Sequence, residues 1–121
     1  MHVIGRALVA AIIVAATTTT MAAAASKQPV TGKASFYDRN YRGRTASGSA
    51  YDGAKMTCAH RTLPFGTKLK VSDRRTGRSV VVTVNDRGPF IRGRVLDLSY
   101  AAARELRMVN RGVIQVRAQP L

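Results

Sequence analysis

The sequence predicts a small, mainly β, closed barrel with one short helix. Three observations carry this: five or six short apolar runs bounded by turn residues, a single stretch of helical character, and a body of fewer than about 100 residues once the N-terminal segment is set aside.

Lys33 to Tyr37 alternates polar and apolar side chains, as a first strand does. Residues 38–51 are rich in Gly, Ser, Arg and Asn without an apolar period, so they read as a long exposed loop; such loops in compact domains are often functional. Met56 to Ala59 is a second short strand, and His60 to Thr67 holds the turn Pro64-Phe65-Gly66. Leu69 to Val71 is expected to pair with Val80 to Val84 across residues 73–77 as a hairpin. Arg94 to Leu98 is a further strand, after which Ser99 caps a helix running to about Met108 with Ala102, Ala103 and Leu106 on its apolar side. Val113 to Val116 is the closing strand.

The N-terminus has the pattern of a secretory signal peptide: Arg6, an apolar run from Ala7 to Ala16, and the small residues Ala23 and Ala25 ahead of Ser26. The run is too short to span a bilayer core, which takes about 20 residues. Residues 1–25 are therefore assigned to a signal peptide cleaved before Ser26, with an uncleaved anchor as the alternative. No cysteine stands at the cleavage point, so a lipoprotein is not expected. Residues 26–31 form a polar lead-in to the barrel domain.

The whole chain carries 20 Lys and Arg against 6 Asp and Glu, a net charge of +14, of which the signal peptide accounts for a single arginine. Such a charge implies anionic partners, and export moves the candidates from nucleic acid to cell-wall polymer. Arg42, Arg44, Arg87 and Arg92 are candidates for that contact or plain solvated charges. Cys58 is the only cysteine, which excludes an intrachain disulfide. It reads as a small buried hydrophobe; a catalytic pair with His60 lacks any sign of an activated thiol. One Cys beside one His does not make a zinc site, so neither metal nor cofactor is expected.

Asn85-Asp86-Arg87-Gly88-Pro89-Phe90 follows the apolar run Val80 to Val84 directly. A strand that breaks there leaves the Asp86 carboxylate on a rim that a ligand can reach, a candidate acid or base. Asn and Asp are also ordinary turn formers, and residues alone leave both readings open.

Five segments then agree with one family in order: Gly32 to Tyr37, Thr45 to Gly48 with Tyr51-Asp52, Ala59 to Thr67, Asn85 to Phe90, and Gly93 to Ser99. Over residues 32–118 the chain resembles the rare lipoprotein A (RlpA) family, whose core is a six-stranded double-psi β-barrel. The resemblance implies a periplasmic or secreted lytic transglycosylase of peptidoglycan that cleaves glycan strands lacking stem peptides to a 1,6-anhydro product. It places Asp52, His60 and Asp86 in the active groove. It also shows a departure, since the family has a glutamate where this chain has Ser49. Tyr37, Ser49, Tyr51, Arg87 and Phe90 flank the implied groove as candidate glycan contacts.

Hydrolytic glycosidases normally need two carboxyl groups. A lytic transglycosylase uses the sugar's own C6 hydroxyl as nucleophile, so one acid that protonates the leaving oxygen and then accepts the hydroxyl proton suffices. Asp86 is assigned that role, with Asp52 as a like-charge neighbour and His60 as a hydrogen-bonding partner. Asp97, just ahead of Ser99, is expected to favour the helix N-terminus. The alternatives are a noncatalytic, expansin-like glycan-binding module, which Ser49 favours, and a cationic protein acting through charge alone.

Overall fold

The computed structural model describes residues 27–121; the expected signal peptide and its cleavage point before Ser26 lie outside the described residues. Six strands, β1 (Val30–Phe36), β2 (Thr57–Ala59), β3 (Lys68–Asp73), β4 (Ser79–Asp86), β5 (Arg94–Leu98) and β6 (Ile114–Pro120), close a barrel in the order β1-β5-β2-β4-β3-β6. Helix α1 (Tyr100–Glu105) lies between β5 and β6. Two pairs, β1 with β5 and β2 with β4, are parallel and the rest are antiparallel, which gives the mainly β, double-psi architecture.

The core follows from the two-residue period of the strands. Leu69 and Val71 in β3, Val80, Val82 and Val84 in β4, and Ile114, Val116 and Ala118 in β6 point inward, while Lys68, Lys70, Gln115 and Arg117 alternate outward. The expected hairpin forms with Val71 opposite Val80 and Lys70 opposite Val81. Cys58 is buried in this core, and burial together with the nearby Asp97 pushes its thiol up to about 12, so it is packing and not a nucleophile.

Local sequence misplaced several boundaries for identifiable reasons. β1 begins at Val30 because Val30 to Gly32 pair with Ala118 to Val116 of β6, which likewise runs on to Pro120. That pairing brings Gly32 against β5: a Cβ there would stand 2.7 Å from a methyl of Val95. The helix stops at Glu105 instead of continuing to Met108. Arg107 takes a left-handed conformation (φ 55°), and the N–H groups of Arg107 and Met108 return to the carbonyls of Arg104 and Ala103. This is a Schellman ending without the usual glycine, closed by the burial of Met108. Ser99 caps the other end by accepting the Ala102 N–H at 3.2 Å. Asp97 does not serve the helix; its carboxylate accepts the Ser35 hydroxyl across the β1–β5 pair.

Asp73 is the one fully buried carboxylate among the described residues, and it pairs with Arg111. Burial by itself would raise its pKa, but Arg111, the Arg75 N–H and the Thr76 hydroxyl outweigh burial and hold it below the ordinary value of 3.8. A folded-state pKa below the unfolded one means that this stabilisation is present above pH 3.8 and is lost as the pH falls through the folded value. Asp73→Ala, which leaves Arg111 without its partner, is expected to cost about 3 kcal/mol in urea unfolding at neutral pH. The difference from the wild type is expected to shrink in acid; an unchanged difference at low pH would remove the ion pair as its cause.

Candidate active site

The end of β4 is shaped by an irregularity in its parallel pairing with β2. Cys58 stands opposite Val84 but Ala59 opposite Asp86, so Asn85 is an extra residue on β4. A bulge of this kind re-aims the side chain that follows it. Here it is Asp86, whose backbone carbonyl accepts the His60 N–H at 3.1 Å. Its carboxylate faces the loop after β1. Oδ1 accepts the N–H groups of Ala46 (2.7 Å) and Arg87 (2.8 Å), and Oδ2 accepts the hydroxyl of Tyr37. The Ser47 N–H adds a bond to the Asn85 carbonyl at 3.2 Å.

The loop of residues 38–51 is therefore not simply an exposed excursion. It closes on itself through the Arg44–Ala50 bridge, buries Thr45, and docks on the end of β4. Tyr37 stacks on Tyr51 with ring centres 4.5 Å apart and planes 16° apart, and Tyr41 packs against both at 5.3 Å. Burial, reinforced by the bond to Asp86, raises the Tyr37 pKa far above its usual value. The phenol keeps its proton and acts on Asp86 only as a donor.

Ser49 joins a triangle of hydroxyls. Its Oγ lies 2.9 Å from Thr45 Oγ1 and 3.0 Å from Ser47 Oγ, with 2.8 Å between the latter two. This cluster sits beside Ala46, whose N–H holds Asp86, so Ser49 adjoins the site and contributes no charge to it.

His60 is half-buried and joined to Asp86 through the backbone. Its Nδ1 accepts the N–H groups of Thr62 (3.1 Å) and Leu63 (3.0 Å), which fixes the unprotonated nitrogen and leaves Nε2 as the donor. Burial first, then Arg87 and Arg61, lower its pKa below 6.5, so the ring is neutral at neutral pH. Arg87 does not reach Asp86 with its guanidinium. Nη1 donates to the carbonyls of His60 (3.3 Å) and Leu63 (2.8 Å), and the group lies 4.0 Å over the Phe65 ring, so it braces the 60–63 turn.

Asp52 stands apart from Asp86. It is exposed, accepts the Ala54 N–H at 2.9 Å within its own turn, and lines a cavity of about 480 Å³ with Arg39, Arg42, Tyr100 and Arg104. The sequence expectation of a like-charge neighbour for Asp86 finds no contact between the two carboxyl groups. Phe90 is 79% exposed on the turn that follows the cis Gly88–Pro89 peptide. That turn is held by Arg61, which donates to the carbonyls of Pro89, Ile91 and Arg94. Sequence reasoning missed Tyr41, Arg61 and the backbone of Ala46. Tyr41 alone left a signal, an aromatic residue inside an otherwise polar loop. Among the described residues no cluster of His, Cys, Asp or Glu is arranged to hold a metal ion.

Fold and site together define a double-psi barrel protein with a carboxylate at a strand end and an aromatic wall beside it. Residues 29–118 match the family described as lytic transglycolase, and the chain belongs to this family, the RlpA-type barrels. It is 56% identical over 93 residues to the probable endolytic peptidoglycan transglycosylase RlpA of Nostoc sp. (strain PCC 7120), covering 74% of this chain and 25% of that protein. The chain spans between 25% and 41% of the length of the curated relatives it matches. Among solved structures it is similar to Streptomyces papain inhibitor (28% identity, TM-score 0.64, covering 78% of this chain and 94% of that one). It is also similar to a mutant Clavibacter michiganensis expansin in complex with cellohexaose (25% identity, TM-score 0.60, covering 78% of this chain and 50% of that one).

The neutral His60 has a testable consequence. With its folded pKa lowered, its contribution to stability is complete above pH 6.5 and is lost as the pH falls through the folded value. His60→Asn keeps an acceptor for the Thr62 and Leu63 N–H groups but does not titrate. Thermal unfolding of this variant is expected to lose less stability than the wild type between pH 7 and about pH 5; parallel curves would show that His60 is not the group responsible.

Proposed function

We propose that this chain is an extracytoplasmic lytic transglycosylase that cleaves the MurNAc–GlcNAc linkage of peptidoglycan glycan strands. The observation that supports it best is the Asp86 carboxylate at the end of β4, fixed on Oδ1 by two backbone N–H groups and on Oδ2 by Tyr37, beside stacked tyrosine rings. Oδ2 keeps a lone pair for a proton in flight, and the fixed geometry aims it. The protonated carboxyl gives its proton to the glycosidic oxygen as the C1–O bond breaks. The C6 hydroxyl oxygen of the muramyl residue then bonds to C1 and returns its proton to the carboxylate. The 1,6-anhydro end forms with no net proton uptake, and the carboxyl is restored for the next cycle.

In this reading the stacked Tyr37 and Tyr51, with the exposed Phe90, offer ring faces to sugars, and Ser49 offers a hydroxyl to a sugar polar group. His60 presents Nε2–H, Arg87 keeps the 60–63 turn in place, and Asp52, apart from Asp86, takes no part in the proton transfer. The relatives named as peptidoglycan transglycosylases support the substrate class and a site of action outside the cytoplasmic membrane. Among the described residues no helix is long and apolar enough to cross a membrane. Purified chain incubated with peptide-stripped sacculi is expected to release 1,6-anhydro fragments by mass analysis. Asp86→Asn is expected to lower that release about 10² to 10⁴-fold while glycan binding persists, since the amide keeps the shape and loses the proton. Equal release by both proteins would refute the mechanism.

A noncatalytic, expansin-like binding module is the second reading. It is favoured by Ser49, whose hydroxyl is tied to Thr45 and Ser47 and leaves Asp86 without a second carboxyl group beside it. The similarity to an expansin crystallised with cellohexaose fits it. Ser49→Glu separates the two. Transglycosylase activity in the wild type, at most raised by the glutamate, supports catalysis by Asp86; product from Ser49→Glu alone supports the binding module.

A further inference from the structure

Among the acids of the described residues, Asp38 and Asp52 are exposed and each accepts an N–H of its own turn, Glu105 is exposed on α1, and Asp73 is paired with Arg111. The remaining two, Asp86 and Asp97, are half-buried, and neither has a basic group within 4 Å. In a chain with 20 Lys and Arg, two partly desolvated carboxylates without a cation are the exception. Each instead takes a hydroxyl from the end of β1. Ser35 donates to Asp97, and Tyr37, two residues on and so on the same face, donates to Asp86.

Strand register puts these groups in one row. Ser35 stands opposite Asp97 across β1 and β5, Asp97 opposite Ala59 across β5 and β2, and Ala59 opposite Asp86 across β2 and β4. Residues opposite one another point to the same side of a sheet. Neighbouring strands lie about 4.8 Å apart, so the backbones at Asp86 and Asp97 are about 10 Å apart with only the Ala59 methyl between them. Ala59 is buried yet takes no part in the hydrophobic core, so its methyl belongs to this outer face. Tyr37 bounds the row on one side: burial, then Asp86, then the charge of Asp97 raise its pKa, which places the phenol in the field of both carboxylates. Val95, two residues before Asp97, bounds it on the other and lines a cavity of about 280 Å³ with His60, Arg61 and Thr62. Asp97 Oδ1 holds Ser35. Its Oδ2 has no protein partner, and since no buried side-chain oxygen among the described residues lacks one, Oδ2 is open to solvent.

We propose that Asp97 is the second carboxylate of this site, facing the sugar ring whose C1 takes on positive charge as the glycosidic bond breaks. The inference rests on the proposed glycan cleavage and deepens it. Donation of the Asp86 proton to the leaving oxygen leaves an oxocarbenium-like C1 until the C6 hydroxyl oxygen closes on it. A fixed anion at that point lowers the barrier, because it is already oriented when the charge appears. The pair divides the work: Asp86 carries the proton out and back, and Asp97 gains and loses none. The spacing suits this, since paired carboxyl groups flanking a scissile glycosidic bond stand about 5 to 9.5 Å apart. Ser35 keeps Asp97 aimed, and Ala59 leaves the space between the two acids unfilled. A carboxylate at position 97 makes one at position 49 dispensable.

The test is equilibrium binding of two GlcNAc-linked ligands to the full chain. One ends in an iminosugar whose ring nitrogen is protonated at neutral pH, a stand-in for charge at C1; the other ends in the neutral pyranose. The background is Asp86→Asn, which stops turnover and removes the charge of Asp86. This variant is expected to bind the cationic ligand about tenfold more tightly, a preference that declines with salt. Asp86→Asn/Asp97→Asn keeps an oxygen for the Ser35 hydroxyl and is expected to bind the two ligands equally. Asp86→Asn/Asp97→Glu retains the charge and is expected to keep a preference, as is Asp86→Asn/Glu105→Gln, which removes a charge from α1 instead. Equal binding of both ligands by Asp86→Asn overturns the inference, and so does a preference that survives Asp97→Asn or is lost equally with Asp97→Glu. In turnover, Asp97→Asn alone is expected to slow 1,6-anhydro release on the order of 10²-fold with glycan affinity unchanged. A loss of affinity that accounts for the whole loss of rate would overturn the role at C1. An Asp97-dependent preference in a protein that releases no 1,6-anhydro product would keep Asp97 in the site and remove the catalytic reading alone. Failure to bind either ligand would overturn both.

Discussion

The Asp86 carboxylate is the point at which three separate parts of the chain meet. It belongs to β4, yet its bonds run to Tyr37 just beyond β1, to Ala46 in the long loop and to the backbone at Arg87. A carboxylate that accepts three donors orders each of them, and the loop of residues 38–51 has few apolar side chains to do so otherwise. The tyrosine stack follows from that tie, because Tyr37 is oriented by Asp86 and Tyr51 packs on Tyr37. The extra residue Asn85 is what turns the carboxylate toward the loop. A regular ladder would have placed position 86 out of phase with its partners on β2.

Charge has two distinct uses in this molecule. Arg61, Arg87 and Arg111 work as structural donors, each saturating carbonyls or a carboxylate that the turns leave unpaired. Their removal would leave backbone acceptors without partners. Around α1, Arg42 makes only a long bond to the Tyr41 carbonyl at 3.5 Å, while Arg39, Arg104 and Arg107 are exposed in concave surface. A net charge of +14 is therefore not a uniform coat. Part of it is consumed by the fold, and part is left facing the solvent next to the aromatic wall.

Ser49, where the resemblance implies a glutamate, sits among hydroxyls that it bonds. Three hydroxyls within 3.0 Å of one another share hydrogen bonds that a single charged side chain would otherwise take to solvent or substrate. The loop keeps its shape through the Thr45 N–H, which donates to the Ser49 carbonyl at 2.8 Å. The serine brings no charge to the loop that holds Asp86.

Much of the fold was legible from the chain itself. Alternation in Leu69 to Val71 and Val80 to Val84, the turn at residues 73–77, and the Ser99 cap are local patterns enforced by strand and helix geometry, and they appear where the residues place them. The motif order from Gly32 to Ser99 was enough to indicate the barrel family. Tertiary structure alone decided the rest. Val30 to Gly32 are strand because β6 lies beside them, and the helix ends at Glu105 because Met108 is buried against the core while Arg107 accepts a left-handed turn. Asp97 went to Ser35 and not to the helix, since strand register set which carboxylate faced which hydroxyl. The sequence expected Asp52 as a neighbour of Asp86; one ended in an exposed turn and the other at the junction of three segments, because long-range pairing determines the neighbours of a side chain and sequence spacing does not.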